Sequence, residues 1–323
     1  MPLRPEASSY QGPSAVTRAA WPPSRAGEQA DWWADRRARR RAALFASLPP
    51  LLTFTVDVED PGSGGLEAPT RRLLDMLEAA GGGRGTFFVL GEAARQAPGL
   101  VREIARRGHE VASHGEWHRA LEEEQPAEFR HALAGAKARL EDLAGQQVLG
   151  YRAPMFSLTP RTAPWATEAL DALGFAYSSS VVPAWNFLYG FPGAPRRPFL
   201  WTGDLLEIPC PVGRIGPLAL PFLGGMYLRY LPPWRLRGFA CQPEAASGGA
   251  VWSYCHPYDL DTEARFARAH DRGLVASLML WLHRGGMSPR LAALLEGRTS
   301  VPFAARLEGL RAEAVPFRPG RRG

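Results

Sequence analysis

Leu51-Leu52-Thr53-Phe54-Thr55-Val56-Asp57-Val58-Glu59-Asp60 is the stretch on which the fold turns. It opens as a run of apolar and β-branched residues, the composition of a strand buried on both faces. It closes in three acids and then Pro61-Gly62-Ser63-Gly64-Gly65, which only a loop accommodates. A solvated turn would account for Asp60. It would not account for Asp57, which falls inside the strand, where a carboxylate is costly unless paired or bound to a metal. Strand alternation puts Asp57 and Glu59 on one face, and a bulge at the strand end would turn Asp60 inward instead.

Working outward, helices and buried strands alternate. Thr70 to Ala80 has the spacing of an amphipathic helix, with Leu73, Leu74 and Leu77 inward and Gly81-Gly82-Gly83 as its stop. Gly85 to Gly91 is expected as a second strand, Pro98 to Arg107 as a helix, and His109 to Ser113 as a third strand that delivers His114 just past its end. Further helices are expected over Ala127 to Ala144 and Thr162 to Leu173. Strands are expected over Val148 to Pro154, Phe175 to Ser178, Leu205 to Pro209 and Ala250 to Cys255. The fold class is therefore α/β, a parallel sheet or barrel. Reactive side chains fall repeatedly at strand C-termini, the catalytic rim of a βα barrel. Val181 to Trp201, rich in Pro and Gly, is expected as an elaborated loop.

His114 and His118 are four apart and share a face if the segment is helical. Neutral imidazoles so placed suit a divalent cation. The pair alone occurs often by chance, so its meaning depends on the acids and on His256-Pro257-Tyr258-Asp259, which ends the last strand.

The 323 residues are 46% hydrophobic, enough for a sizeable core in one domain or two. The formal charge is +6, and Lys137 is the sole lysine among the basic residues. Arginines cluster at Arg36 to Arg41 and Arg318 to Arg322. Residues 1–48 are expected as an Arg/Pro-rich extension with a short helix from Asp31 to Ala46, 49–300 as the catalytic domain, and 301–323 as a basic tail. Solvated tails are the expectation here, so nucleic acid is not an expected partner, and peripheral membrane contact is left open. Cys210, Cys241 and Cys255 lack CxxC spacing and suggest reduced thiols. Met1-Pro2-Leu3-Arg4-Pro5 lacks the apolar run of a secretory leader, and a cytoplasmic location is expected. Ile215 to Trp234 is broken by prolines, glycines and Arg229, and Leu274 to Leu282 is too short to span a bilayer.

Taken together, Thr55 to Asp60, Thr86 to Gly91, Gly108 to His114, His118, Gly150 to Pro154 and His256-Pro257 resemble the polysaccharide deacetylases that share the NodB homology domain. The branch they most resemble lies beside exopolysaccharide and exosortase loci, and Gly224 to Pro232 is similar to a loop of that branch. The likeness runs in unbroken order over roughly residues 50 to 300. It implies a distorted (β/α) barrel and a metal-dependent hydrolase, with zinc as the expected ion, that removes N-acetyl groups from an amino-sugar-containing glycan or its precursor. By the same resemblance Asp57 is the general base, Arg152 its partner, and His256 the general acid. His114 and His118 are metal ligands, and the third ligand is a carboxylate at Glu59 or Asp60, with Glu59 favoured. Tyr151, Pro154 and Met155 are implied to contact substrate, the Met155 N–H donating to the tetrahedral oxyanion. Alternatives are a deformylase or amidase acting on a lipid-linked or small amino sugar, and a catalytically weakened glycan-binding homologue. Ser178 favours the last, since the branch usually carries an aspartate in that segment.

Overall fold

Strand β1 (Leu51–Val58) is buried from Leu52 onward and has neighbours on both sides. It lies in a computed structural model that describes residues 43–60, 62, 65–186, 188–242, 250–268 and 273–319. The elements that follow are α1 (Glu67–Ala79), β2 (Gly85–Val89), α2 (Gly91–Gln96), α3 (Pro98–Arg106), β3 (Glu110–Ser113), α4 (Pro126–Ala144), β4 (Gly150–Tyr151), α5 (Ala163–Ala172) and β5 (Tyr177–Ser178). The second half adds β6 (Phe199–Leu200), β7 (Leu206–Glu207), β8 (Val212–Ile215), β9 (Leu218–Pro221), α6 (Gly225–Tyr230), α7 (Pro233–Ala240) and β10 (Trp252–Cys255). It ends with α8 (Leu274–Trp281), α9 (Met287–Leu295), β11 (Thr299–Ser300), α10 (Leu307–Ala312) and β12 (Val315–Pro316).

The main sheet runs β10-β1-β2-β3-β4-β5-β7-β6-β12, with β11 also on β1. Every pairing in it is parallel except β6 with β7. This is the α/β architecture expected from the alternation of patterns. Among the described residues β10 and β12 end the ladder. β8 and β9 form a separate hairpin.

Alternation along β1 sorts its side chains into two environments. Leu52, Phe54, Val56 and Val58 join Phe87 and Val111 in the core beneath the helices. Thr53, Thr55 and Asp57 face the other way, and Phe88 and Ala112, in register with Asp57, belong to a second cluster with Tyr177, Trp252, Tyr254 and Phe303. The sheet therefore has two buried faces. The inner one carries the polar residues of β1, which explains how a carboxylate comes to sit within an apolar strand.

The chain ends correct the expected domain limits. Leu44, Phe45 and Leu48 are buried in the helix-side core, so the body begins before residue 49. Most of the expected Asp31–Ala46 helix lies outside the described residues, and Ala43 to Ala46 is a turn. At the other end, Phe303 is fully buried and β12 pairs with β6, so residues 301–317 are part of the fold and not a tail. The three cysteines are free thiols. No described helix is long and apolar enough to cross a membrane.

Candidate active site

Asp57 sits at the end of β1 and receives Arg152 Nη1 at 2.6 Å. Arg152 lies just past β4, fully buried, and its guanidinium is held on every edge. Nη1 also donates to Thr55 Oγ1 (2.8 Å), Nε to the Ser179 carbonyl (3.1 Å) and Nη2 to Ser179 Oγ (3.1 Å). Phe88, Trp252 and Phe156 present ring faces at 4.0, 4.5 and 5.3 Å. A buried cation tolerates such a place only when its donors are matched and a counter-charge is near. Here both conditions are met, and the result is a carboxylate with its orientation fixed.

Glu59 follows on the same face and meets two imidazoles. His118 Nε2 is 2.5 Å and His114 Nε2 3.5 Å from Glu59 Oε2, and candidate ligand atoms of the three residues lie within 4.8 Å of one another. His114 Nδ1 lies 2.9 Å from the Arg152 carbonyl. A carbonyl only accepts, so Nδ1 carries a proton, and Nε2 is turned toward Glu59. The histidines converge through a loop and not a helix face: Gly115 takes φ +92°, and His118 lies beyond it in bends.

A divalent cation fits this set. Glu59 Oε2 is buried without a hydrogen-bond donor of acceptable geometry, and two imidazole nitrogens with one carboxylate oxygen are donors suited to zinc or a similar ion. Burial pushes the Glu59 carboxyl up, but the His118 imidazole, with His114 and His256, outweighs it and holds the group well below the usual carboxylate range. Asp60 is not part of the cluster. The chain turns after β1, and Asp60 Oδ1 accepts the Gly62 N–H at 3.0 Å.

His256, just past β10, completes the rim. Its Nε2 is 3.8 Å from Glu59 Oε1, and its Nδ1 is 2.9 Å from Asp259 Oδ2. Asp259 Oδ2 also accepts the His256 N–H, closing the turn Pro257–Asp259 on itself. Arg229 Nη1, from α6, stands 3.3 Å from Asp259 Oδ1. Burial disfavours the His256 cation, but Asp259 more than offsets this and raises the imidazole pKa above its ordinary value. Burial likewise works against the Asp259 anion, and His256 and Arg229 more than offset that. The Tyr258 ring stacks on His256 at 4.6 Å and 9°, and its hydroxyl donates to Glu59 Oε1 at 3.4 Å.

Asp57, Glu59, His114, His118 and His256 line one pocket of about 190 Å³, together with Met155, Phe156 and Tyr258. Met155 and Phe156 both have positive φ (56° and 55°), a conformation that costs free energy in non-glycine residues and is retained where a tight turn is needed. The pocket's other wall comes from the second half of the chain and includes Tyr227, Tyr254 and Leu280.

Two expected substrate contacts fall elsewhere. Tyr151 is in register with Ser113 and faces the helices, packed between Phe129 and Phe175, because the residue before an inward arginine points outward. Pro154 is buried and lines a separate small cleft with Tyr151 and Trp117. Met155 alone of the three reaches the pocket.

Ser178 has a buried carboxyl as its neighbour across the sheet. Its register partner on β7 is Glu207, fully buried, whose Oε1 accepts the N–H groups of Ser180 (2.7 Å) and Val181 (3.0 Å) and whose Oε2 accepts Trp201 Nε1 (3.1 Å). Burial raises the Glu207 carboxyl pKa. This carboxyl fixes the Ser180–Val181 backbone, and the preceding Ser179 holds Arg152. Glu207, Ser179, Asp259 and Arg229 had no sequence-level assignment. The spacing of Asp259 three residues after His256 was the one local signal available.

Residues 50–177 match the family described as polysaccharide deacetylase, and residues 179–306 match one described only as a domain of unknown function, DUF3473. The chain is similar to the peptidoglycan-N-acetylglucosamine deacetylase of Bacillus cereus, 32% identical over 99 residues (31% of this chain, 36% of the relative). It is also similar to a peptidoglycan deacetylase-like protein of Gibberella zeae, 28% identical over 111 residues (34% and 32%). It thus spans about a third of the length of each curated relative. A crystal structure from Mycobacterium smegmatis assigned to the polysaccharide deacetylases superposes with a TM-score of 0.53 at 22% identity, covering 84% of this chain and 94% of the other, which supports the fold.

Proposed function

We propose that this chain, whose residues 50–177 match the polysaccharide deacetylase family, is a metal-dependent hydrolase that removes N-acetyl groups from an amino-sugar-containing glycan or its precursor. The observation that carries this reading is the meeting, in one pocket, of an arginine-held carboxylate, a Glu/His/His ligand set and a carboxylate-oriented histidine. The named activity of the Bacillus cereus relative supports an acylated amino sugar as the substrate class.

In this reading Glu59, His114 and His118 hold the ion, and zinc is the proposed metal. A divalent cation so held would polarise an amide carbonyl and lower the pKa of a neighbouring water. Asp57 takes a proton from the attacking water, and Arg152 keeps its carboxylate aimed and charge-compensated. The oxygen of that water bonds to the acyl carbon, and the Met155 N–H donates to the oxyanion that results. His256, its Nδ1 turned to Asp259, gives a proton from Nε2 to the departing amine as the C–N bond breaks. Acetate and a free amino sugar are the products.

Metal analysis of the purified chain, combined with acetate release from N-acetylglucosamine oligomers, tests the proposal. One bound ion per chain is expected, lost together with acetate release in a His114→Ala, His118→Ala variant. A chain that takes up no metal under any loading condition, or whose acetate release survives that double substitution, overturns it.

A further inference from the structure

Helix α8, Leu-Val-Ala-Ser-Leu-Met-Leu-Trp over Leu274–Trp281, is inverted relative to an ordinary surface helix. Its one fully buried residue is Ser277, whose Oγ donates to the Gly273 carbonyl. Its apolar side chains face out: Leu274 is 54% exposed, Val275 72%, and Leu278, Met279 and Trp281 each more than a third. Single exposed apolar residues are common, but a contiguous set on one helix marks a surface that meets an apolar partner.

The backbone of α8 is anchored while Leu274, Val275, Leu278 and Met279 are turned outward. Arg229 donates to the Met279 and Leu280 carbonyls at 3.0 and 2.8 Å, Tyr230 Oη to Met279 at 2.8 Å, and Arg284 Nε to Leu280 at 3.1 Å. Trp281 Nε1 donates to the Ala264 carbonyl, and its ring meets exposed Phe266 edge-on at 5.9 Å. Exposed Arg265 and Arg268 flank Phe266 in the chain. Leu280, on the same helix, lines the pocket that holds Glu59, His114 and His118.

We propose that α8, with Phe266, is a docking surface for an anionic lipid bilayer, and that it seats the mouth of the pocket at the membrane surface. Outward leucines and valine, amphipathic aromatics beside them and neighbouring arginines are the chemistry of a helix that lies in the headgroup layer. The apolar face is too short to span, which makes the contact peripheral. A second copy of the chain is a poorer occupant, because it would bring its own Arg265 and Arg268 against these arginines, whereas an anionic surface pairs with them. The docking goes beyond the proposed reaction and does not depend on it.

Co-sedimentation of the full chain with vesicles of phosphatidylcholine mixed with phosphatidylglycerol tests this. Wild-type protein is expected to partition to the vesicles. A Val275→Ser, Leu278→Gln variant, which alters neither charge nor the pocket lining, is expected to bind at least about tenfold more weakly at an unchanged melting temperature. Phe266→Ser, on the neighbouring segment, should weaken binding in the same direction. Equal vesicle binding by wild type and both variants, or no binding by wild type, overturns the proposal. So does a wild-type dimer that ignores vesicles and dissociates in the variants. Because vesicle binding is read without substrate, the docking is decided whether or not acetate release is found.

Discussion

Asp57 and Glu59 are two residues apart on one face and meet opposite partners, a guanidinium and a pair of imidazoles. In the proposed mechanism this division separates base from ligand, and it is open to test one atom at a time. Asp57→Asn keeps the shape and one acceptor for Arg152 but removes the basic oxygen. Turnover is expected to fall by a factor of roughly 10² to 10⁴, the ordinary contribution of a positioned general base, with bound metal unchanged by elemental analysis. Loss of the metal instead would reverse the assignment of base and ligand. The sequence displayed these residues because each sits where a strand ends, and a buried acid in a β-branched run has few structural explanations. It misplaced Tyr151 and Pro154 because a motif groups neighbours that alternation then sends to opposite faces of the sheet. Arg229 was hidden for a different reason: an arginine in an apolar, proline-broken stretch has no periodicity to declare which way it points.

At the scale of elements, the turn Pro257–Asp259 is the unit that aims His256, and its closure depends on pH. Asp259 has a folded pKa depressed below the usual 3.8, burial being outweighed by His256 and Arg229, so its contribution is present above that value and is lost as pH falls through the folded pKa. His256 has a folded pKa raised above 6.5, so its share is complete below 6.5 and is lost as pH rises through the folded value. In chelator-treated protein, wild type should therefore be more stable than Asp259→Asn by about 3–5 kcal/mol between these limits, the usual cost of stranding one partner of a buried ion pair. The gap should narrow on both sides, and melting curves at a series of pH values measure it. A gap independent of pH would mean that Asp259 acts through shape alone. Elements with strong periodicity, such as α1, α3, α4 and α5, were legible to within a few residues. The two-residue strands β4 to β7 were not delimited, since alternation needs more positions than they contain. The helical spacing of His114 and His118 misled for a related reason: Gly115 at φ +92° turns the chain, and the loop achieves the convergence that a helix face was expected to give.

For the molecule as a whole, the informative residues are those expected to be a tail. Phe303 stands in the inner cluster, its ring 5.5 Å from Tyr177, 5.9 Å from Trp252 and 6.5 Å from Phe88, the ring that also covers Arg152. The N–H groups of Phe303 and Ala304 donate to Thr86 Oγ1 and Glu110 Oε2, each at 3.0 Å, and Glu110 is a buried carboxyl whose pKa burial has raised. Farther on, β12 pairs with β6, and Phe317 packs on Phe199 at 4.9 Å. Composition gave no warning, because Arg306, Glu308, Arg311 and Glu313 make the segment look solvated while one apolar residue in several turns inward. Removing a buried phenylalanine alone costs about 3–5 kcal/mol, and whole domains are stable by only about 5–15 kcal/mol. A chain ending at Ser300 loses Phe303, Leu310, a strand and the Ala304 N–H donor to Glu110 together, so it is expected to be insoluble or to lack a cooperative melting transition. A chain ending at Arg318 should melt with the 323-residue chain. If the shorter chain melts normally, the inner cluster does not need its C-terminal plug, and the sheet that positions Arg152 is held by the strands alone.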